Sequence, residues 1–159
     1  MSTYNIVLST NESTVVTEYA PQTQRSDVYQ SEAALEAAFI KMLCEQGYEY
    51  VTIHNADALV ANLRRQLELL NNCRFTDKEW DSFFKNKIAN ANEGIVEKTR
   101  KIQEEYVQNL TREDGRTLNI TLIDKKNIHN NRLQVINQYA ETSGNHDARY
   151  DVTILVNGL

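Results

Sequence analysis

Apolar and polar residues alternate along this chain with two different periods, and each change of period marks a new element. From Ala33 to Gln46, the residues Leu35, Phe39, Met42 and Leu43 fall on one arc at 100° per residue, which predicts a helix with that arc turned inward. Ser31 is placed to cap its start, and Gly47 to end it in a left-handed conformation. Leu59, Val60, Leu63, Leu67 and Leu70 predict a second helix over Ala56–Leu70, closed by Asn71-Asn72. The capping box Thr76-x-x-Glu79 opens a third, with Trp80, Phe83, Phe84 and Ile88 inward. After the break at Asn92-Glu93-Gly94, Ile95, Ile102, Tyr106 and Leu110 mark a fourth.

The period of two appears in four other places. Tyr48–Ile53 predicts a short strand, and Thr117–Ile123 a longer one with Leu118, Ile120 and Leu122 on one side. Leu133–Tyr139 is apolar on both faces, as a central strand requires. In the last stretch Tyr150, Val152, Ile154 and Val156 alternate with Asp151 and Thr153, then meet Asn157-Gly158. Both residues of that pair tolerate the positive φ of a type I′ hairpin turn. Polar segments separate these strands: a turn at Glu113-Asp114-Gly115-Arg116 and loops at Asp124–Asn131 and Glu141–Ala148. Ahead of the first helix, Tyr4–Leu8 and Thr14–Tyr19 predict a hairpin, and Pro21–Tyr29 a connecting loop.

This order predicts a mixed β-sheet flanked by helices, in the α/β class, with α+β as the alternative. Residues 1–30 form a leading segment of strands and loop, and 31–159 the body of the domain. A hairpin turn calls for a second strand after Leu159, so the sequence reads as the front part of a longer protein, cut inside a hairpin. With 159 residues, 41% hydrophobic and 25% charged, it has the composition of one globular domain or part of one.

A net charge of -5 argues against gripping nucleic acid through a bulk positive field, yet leaves room for an acid-lined metal site. No run of apolar residues is long enough to span a membrane, and the first residues lack a signal-peptide layout, so a cytoplasmic location is expected. Cys44 and Cys73 share no C-x-x-C spacing, and Cys44 beside Met42 and Leu43 predicts a buried thiol. His54, His129 and His146 show no metal-ligand spacing, and no P-loop occurs. Trp80, Phe83 and Phe84 could stack bases, but their helical spacing favours core packing. Arg64-Arg65 and Lys98, Arg100 and Lys101 are mixed with acids and read as solvated faces.

Three acids remain as candidates for chemistry. Asp151 opens the final strand, where it would either accept a loop amide or hold a metal. Glu32 projects from the apolar arc of the first helix, one turn from its start, and Glu36 lies at the edge of that arc. An acid there serves either the helix dipole or a metal site.

The runs Arg132-Leu133-Gln134-Val135-Ile136-Asn137-Gln138, Arg149-Tyr150-Asp151-Val152 and Val156-Asn157-Gly158-Leu159 resemble the N-terminal endonuclease domain of type I restriction enzyme R subunits. So does Ser31-Glu32-Ala33-Ala34-Leu35-Glu36, continuing to Gly47-Tyr48-Glu49-Tyr50, and the likeness runs from about Tyr29 to the end. The resemblance implies a restriction-endonuclease-like PD-(D/E)xK core, incomplete here because the family's acid-x-Lys strand would begin just past Leu159. It implies Asp151 and Glu32 as catalytic, metal-holding acids for Mg²⁺, with Glu36 as the fallback for Glu32. It further implies a parent that cuts double-stranded DNA with ATP-driven motor domains, in complex with modification and specificity subunits. The chain alone would not cut DNA. The alternatives are a non-catalytic docking module of a larger DNA-processing complex, or a complete small protein whose end at Leu159 is natural.

Overall fold

The computed structural model describes the backbone of residues 5–9, 15–18, 31–143 and 146–159, and side chains within 31–139 and 150–159. Two compact units emerge, Met1–Ser31 and Glu32–Leu159. In the first, β1 (Asn5–Ser9) and β2 (Val15–Glu18) pair antiparallel with a register irregularity between Ile6 and Leu8, which is the expected hairpin. The expected loop at Pro21–Tyr29 lies outside the described residues.

The second unit begins with α1 (Glu32–Glu45), the short β3 (Glu49–Tyr50) and α2 (Ala56–Leu70). α3 (Asp77–Phe83) then runs on into a π-helical turn over Phe84–Ile88, and α4 (Ile95–Gln103) follows. β4 (Val107–Thr111) and β5 (Thr117–Thr121) make a separate antiparallel hairpin. β6 (Leu133–Ser143) is central in a three-stranded sheet, parallel to β3 on one side and antiparallel to β7 (His146–Val156) on the other. The expected mixed α/β architecture is therefore present.

Helix α2 serves two cores. Its Leu63 and Leu67 are buried with Phe75, Trp80 and Phe83 of the α3 region and Leu110, Ile120 and Leu122 of the β4–β5 hairpin. Its Ala58 and Leu59 pack instead against Ile53, Ile136 and Leu155 at the three-stranded sheet. The expected capping box forms in full: Glu79 N–H donates to Thr76 Oγ1 and Thr76 N–H to Glu79 Oε2. Phe75, Trp80, Phe83 and Phe84 pack ring to ring with centroids 5.3–6.4 Å apart, so the aromatic cluster is core.

Four expectations need correction. Only Leu43 of the α1 arc is buried, while Leu35, Phe39 and Met42 are 54%, 41% and 45% exposed. The helix meets the sheet through its polar edge, where Glu36 binds Asn137 and Gln138, and this turns most of the arc outward. Cys44, next along that helix, is exposed for the same reason. The fourth helix ends at Gln103, and Val107–Thr111 becomes a strand because Gln108 and Leu110 alternate inward against β5. Most of Glu141–Ala148 is strand, since β6 and β7 continue their ladder to the Ser143↔His146 pair. Gly144-Asn145 is a turn-forming pair in the sequence, and the polarity of its flanks concealed the long hairpin.

Asn157 and Gly158 have φ of 54° and 82°, and Val156 and Leu159 exchange two backbone hydrogen bonds of 3.1 Å, the pattern of a two-residue hairpin turn. An added Cβ on Gly158 would lie 2.7 Å from Leu63 Cα, within the backbone of α2. We expect Gly158→Ala to cost about 2 kcal/mol from the combined strain and clash, read as a fall of about 4–8 °C in Tm. An unchanged Tm would contradict this packing.

Asp124 is held below the usual carboxylate range, chiefly by the Asn127 amide and then by the Asn130 side chain. A carboxylate lowered in the folded state stabilises above its unfolded value of roughly 3.9, and that stabilisation fades as pH falls through the folded value. Asp124→Ala should therefore lower Tm at pH 7, with the gap to the parent chain narrowing as pH falls below the usual carboxylate range. A gap that stays constant with pH would rule the carboxylate out as its source.

Candidate functional site

The ladder between β6 and β7 runs from Leu133↔Val156 to Asn137↔Val152, and resumes at Tyr139↔Tyr150. One rung is missing between them, and the two residues that would face each other there are Gln138 and Asp151. Gln138 has φ of 55°, a left-handed conformation in the middle of a central strand. For a residue other than glycine this costs on the order of 1–2 kcal/mol.

The left-handed residue inverts the strand's alternation of faces. Successive strand side chains normally point to opposite faces. Here Asn137 and Gln138, adjacent in sequence, both reach Glu36 of α1: Asn137 Nδ2 donates to Oε1 at 2.7 Å and Gln138 Nε2 to Oε2 at 2.6 Å. Ile136 and Tyr139, three apart, both pack on the cluster around Ile53 and Leu155. Tyr50 Oη extends the network by donating to Asn137 Oδ1 at 2.7 Å. Both oxygens of the half-buried Glu36 are thus held by amides.

Asp151 is exposed and makes no side-chain hydrogen bond among the described residues, so the loop amide considered for it is not seen there. Glu32 is likewise exposed in the first turn of α1 and without a partner among the described residues. The helix acid tied to the strand that faces Asp151 is therefore Glu36. Two buried polar atoms near the missing rung lack a partner among the described residues, Gln138 Oε1 and Thr153 Oγ1.

Sequence reasoning did not single out Asn137, Gln138 or Tyr50. The available signal was a pair of amides inside an otherwise apolar strand, which needs a polar partner on a neighbouring element. An open groove of about 630 Å³ lies elsewhere, lined by Arg65, Glu68, Arg74 and Arg132. Cys73 is half-buried, and burial pushes its thiol up, away from reactivity. His54 and His129 are exposed, and the side chain of His146 is outside the described residues. No group of three His, Cys, Asp or Glu side chains converges among the described residues. Two carboxylates therefore stand out, Glu36 held against β6 by amides and Asp151 at the interrupted rung of the hairpin.

The fold is a mixed α/β domain whose central hairpin carries Asp151, a carboxylate without a partner among the described residues. The family model described as type I restriction enzyme R protein N terminus matches residues 29–159, and the chain belongs to that family. It is 45% identical over 154 residues to the type I restriction enzyme EcoprrI endonuclease subunit of Escherichia coli, covering 96% of this chain and 49% of that protein. It is 37% identical over 137 residues to the SsaAORF53P endonuclease subunit of Staphylococcus saprophyticus, covering 83% of this chain and 14% of the relative. With the SauCOLORF180P endonuclease subunit of Staphylococcus aureus the identity is 35% over 136 residues, with 82% and 14% covered. The chain thus spans about half the length of the Escherichia coli relative and about a seventh of the staphylococcal ones.

The two helix acids should separate in a stability measurement. Glu36→Ala leaves two amides of β6 without their acceptor, and a loss of roughly 1–2 kcal/mol is expected in chemical denaturation. Glu32→Ala removes an exposed side chain and should change stability by less than about 0.5 kcal/mol. Equal effects would show that the amides find other partners.

Proposed function

We propose that this chain is the front part of the DNA-cleaving subunit of a type I restriction-modification enzyme, carrying one half of a Mg²⁺-dependent nuclease site of the PD-(D/E)xK kind. The observation that carries this reading is a carboxylate without a partner, Asp151, at the broken rung of the central hairpin in a chain of this family. Asp151 would be the bridging metal ligand. Glu36, the fallback among the helix acids, replaces Glu32 as the preferred one because α1 holds it against β6. Leu159 already pairs with Val156, so a continuing chain would run back along the free edge of β7. An acid-x-Lys on that strand would bring its acid and lysine alongside Asp151.

When bound, Mg²⁺ would absorb charge on the phosphorane and the leaving oxygen. The protein's share is to fix Glu36 against β6 through Asn137 and Gln138 and to keep Asp151 open to solvent. Double-stranded DNA is the substrate in this reading, with modification and specificity subunits as partners in the cytoplasm. ATP-powered translocation would reside in motor domains absent from this chain, which by itself is expected not to cut. The second reading, a docking module, draws on the exposed arc of Leu35, Phe39 and Met42.

The first test is the coding sequence after Leu159, where an acid-x-Lys within about fifteen residues, on a β-patterned run as hairpin pairing requires, is expected. A strand without that pair would move the assignment to the docking module. In the whole subunit, Asp151→Ala should lower DNA cleavage by at least about 100-fold while ATP hydrolysis persists. Retained cleavage would remove Asp151 from the site.

A further inference from the structure

We infer that Gln138 is the positioning residue of this site, a role that rests on the nuclease reading above. Four observations meet at it. Its left-handed backbone interrupts the ladder at the position facing Asp151. Its Nε2 and the neighbouring Asn137 Nδ2 grip the two oxygens of Glu36, at 2.6 and 2.7 Å. Its Oε1 is buried and accepts no hydrogen bond. Thr153 Oγ1, two residues along β7 from Asp151, is buried and unpartnered as well.

The left-handed backbone accounts for the first two. If Gln138 kept extended geometry, its side chain would leave on the face opposite Asn137, and the two amides could not share one carboxylate. The left-handed turn of the backbone puts both on Glu36, fixes the helix acid against the strand, and interrupts the backbone ladder opposite Asp151. A buried acceptor without a donor is rare in folded proteins. A donor from outside the chain would satisfy Gln138 Oε1, and water held where Asp151 and Glu36 would bind Mg²⁺ has suitable chemistry. Gln138 thus acts through Glu36 and through that water, with no direct bond to the metal.

The test compares Gln138→Gly, Asp151→Ala and the unaltered protein, in the whole subunit without ATP. Glycine tolerates the positive φ, so the variant removes the amide and keeps the backbone. Mn²⁺ serves as the probe, titrated by water-proton relaxation, with Tm measured alongside. The expected result is loss of a Mn²⁺ site in Asp151→Ala and a 10–100-fold weaker site in Gln138→Gly, the usual span for an outer-shell residue, with Tm preserved. If Gln138→Gly binds Mn²⁺ as the unaltered protein does while Asp151→Ala does not, the inference is overturned and the nuclease reading stands. If Asp151→Ala binds as well as the unaltered protein, the nuclease reading itself fails, and this inference with it. A purely structural role would lower Tm and leave the Mn²⁺ affinity of the folded fraction unchanged, which also overturns it.

Discussion

The side chain of Asn157 is the constraint on which the joining of the two cores depends. It is 1% exposed, and its amide holds three separate segments together. Oδ1 accepts from the Arg132 backbone at 2.8 Å, while Nδ2 donates to the Leu122 carbonyl at 3.0 Å and to Asn131 Oδ1 at 2.8 Å. Its backbone N–H meets the Arg132 carbonyl at 2.9 Å. The same residue must also take a positive φ for the hairpin turn. Asparagine is the residue that tolerates this conformation and offers both a donor and an acceptor beyond the backbone. Glycine would keep the turn and lose the clamp.

That clamp explains why helix α2 can serve two cores without either opening. The Asn157-Gly158 turn presses against Leu63, in the middle of α2, while Leu159 packs on the cluster that includes Leu122. Asn71 repeats the device at the end of α2: its amide joins the Leu67 carbonyl to both backbone groups of Thr121. Asn62 and Gln134 do the same between α2 and β6, continuing to Glu49 on β3. The layers are therefore fixed in register by buried amides, and the apolar contacts supply most of the burial without specifying it.

What was legible in the sequence follows from this division of labour. Wherever a single element sets its own pattern, the residues announced it: the α2 stripe, the Thr76–Glu79 box, the β5 alternation and the Asn157-Gly158 turn all appear as expected. The misreadings arise where a second element decides. The α1 arc looks like a core face, yet polar bonds from Asn137 and Gln138 orient the helix, and periodicity carries no information about them. Val107–Thr111 could continue a helix by composition and becomes a strand because β5 is available to pair with it. For the candidate site, the position of Asp151 on a strand was legible from alternation. The left-handed Gln138 was not, because glutamine gives no local signal for that conformation.

The electrostatics of the chain set a limit on how the proposed function can be shared out. Much of its positive charge is spent locally: Arg64 on Asp77 and Glu68, Arg74 on Glu68, Arg116 on Asp114, and Lys101 on Glu93. Affinity for duplex DNA grows with the number of phosphates that free cations neutralise. A domain with a net charge of -5, in which Arg64, Arg74 and Arg116 are ion-paired, offers little of that. An acid-lined site in such a surrounding attracts a divalent cation and repels a phosphate until the cation is bound. The nuclease reading is consistent only if the grip on DNA comes from elsewhere in the longer protein or its partner subunits, and the cation makes the last contact possible. On that reading, this ordering would favour cleavage only on DNA already held, a physical reason for such chemistry to sit in an acidic module.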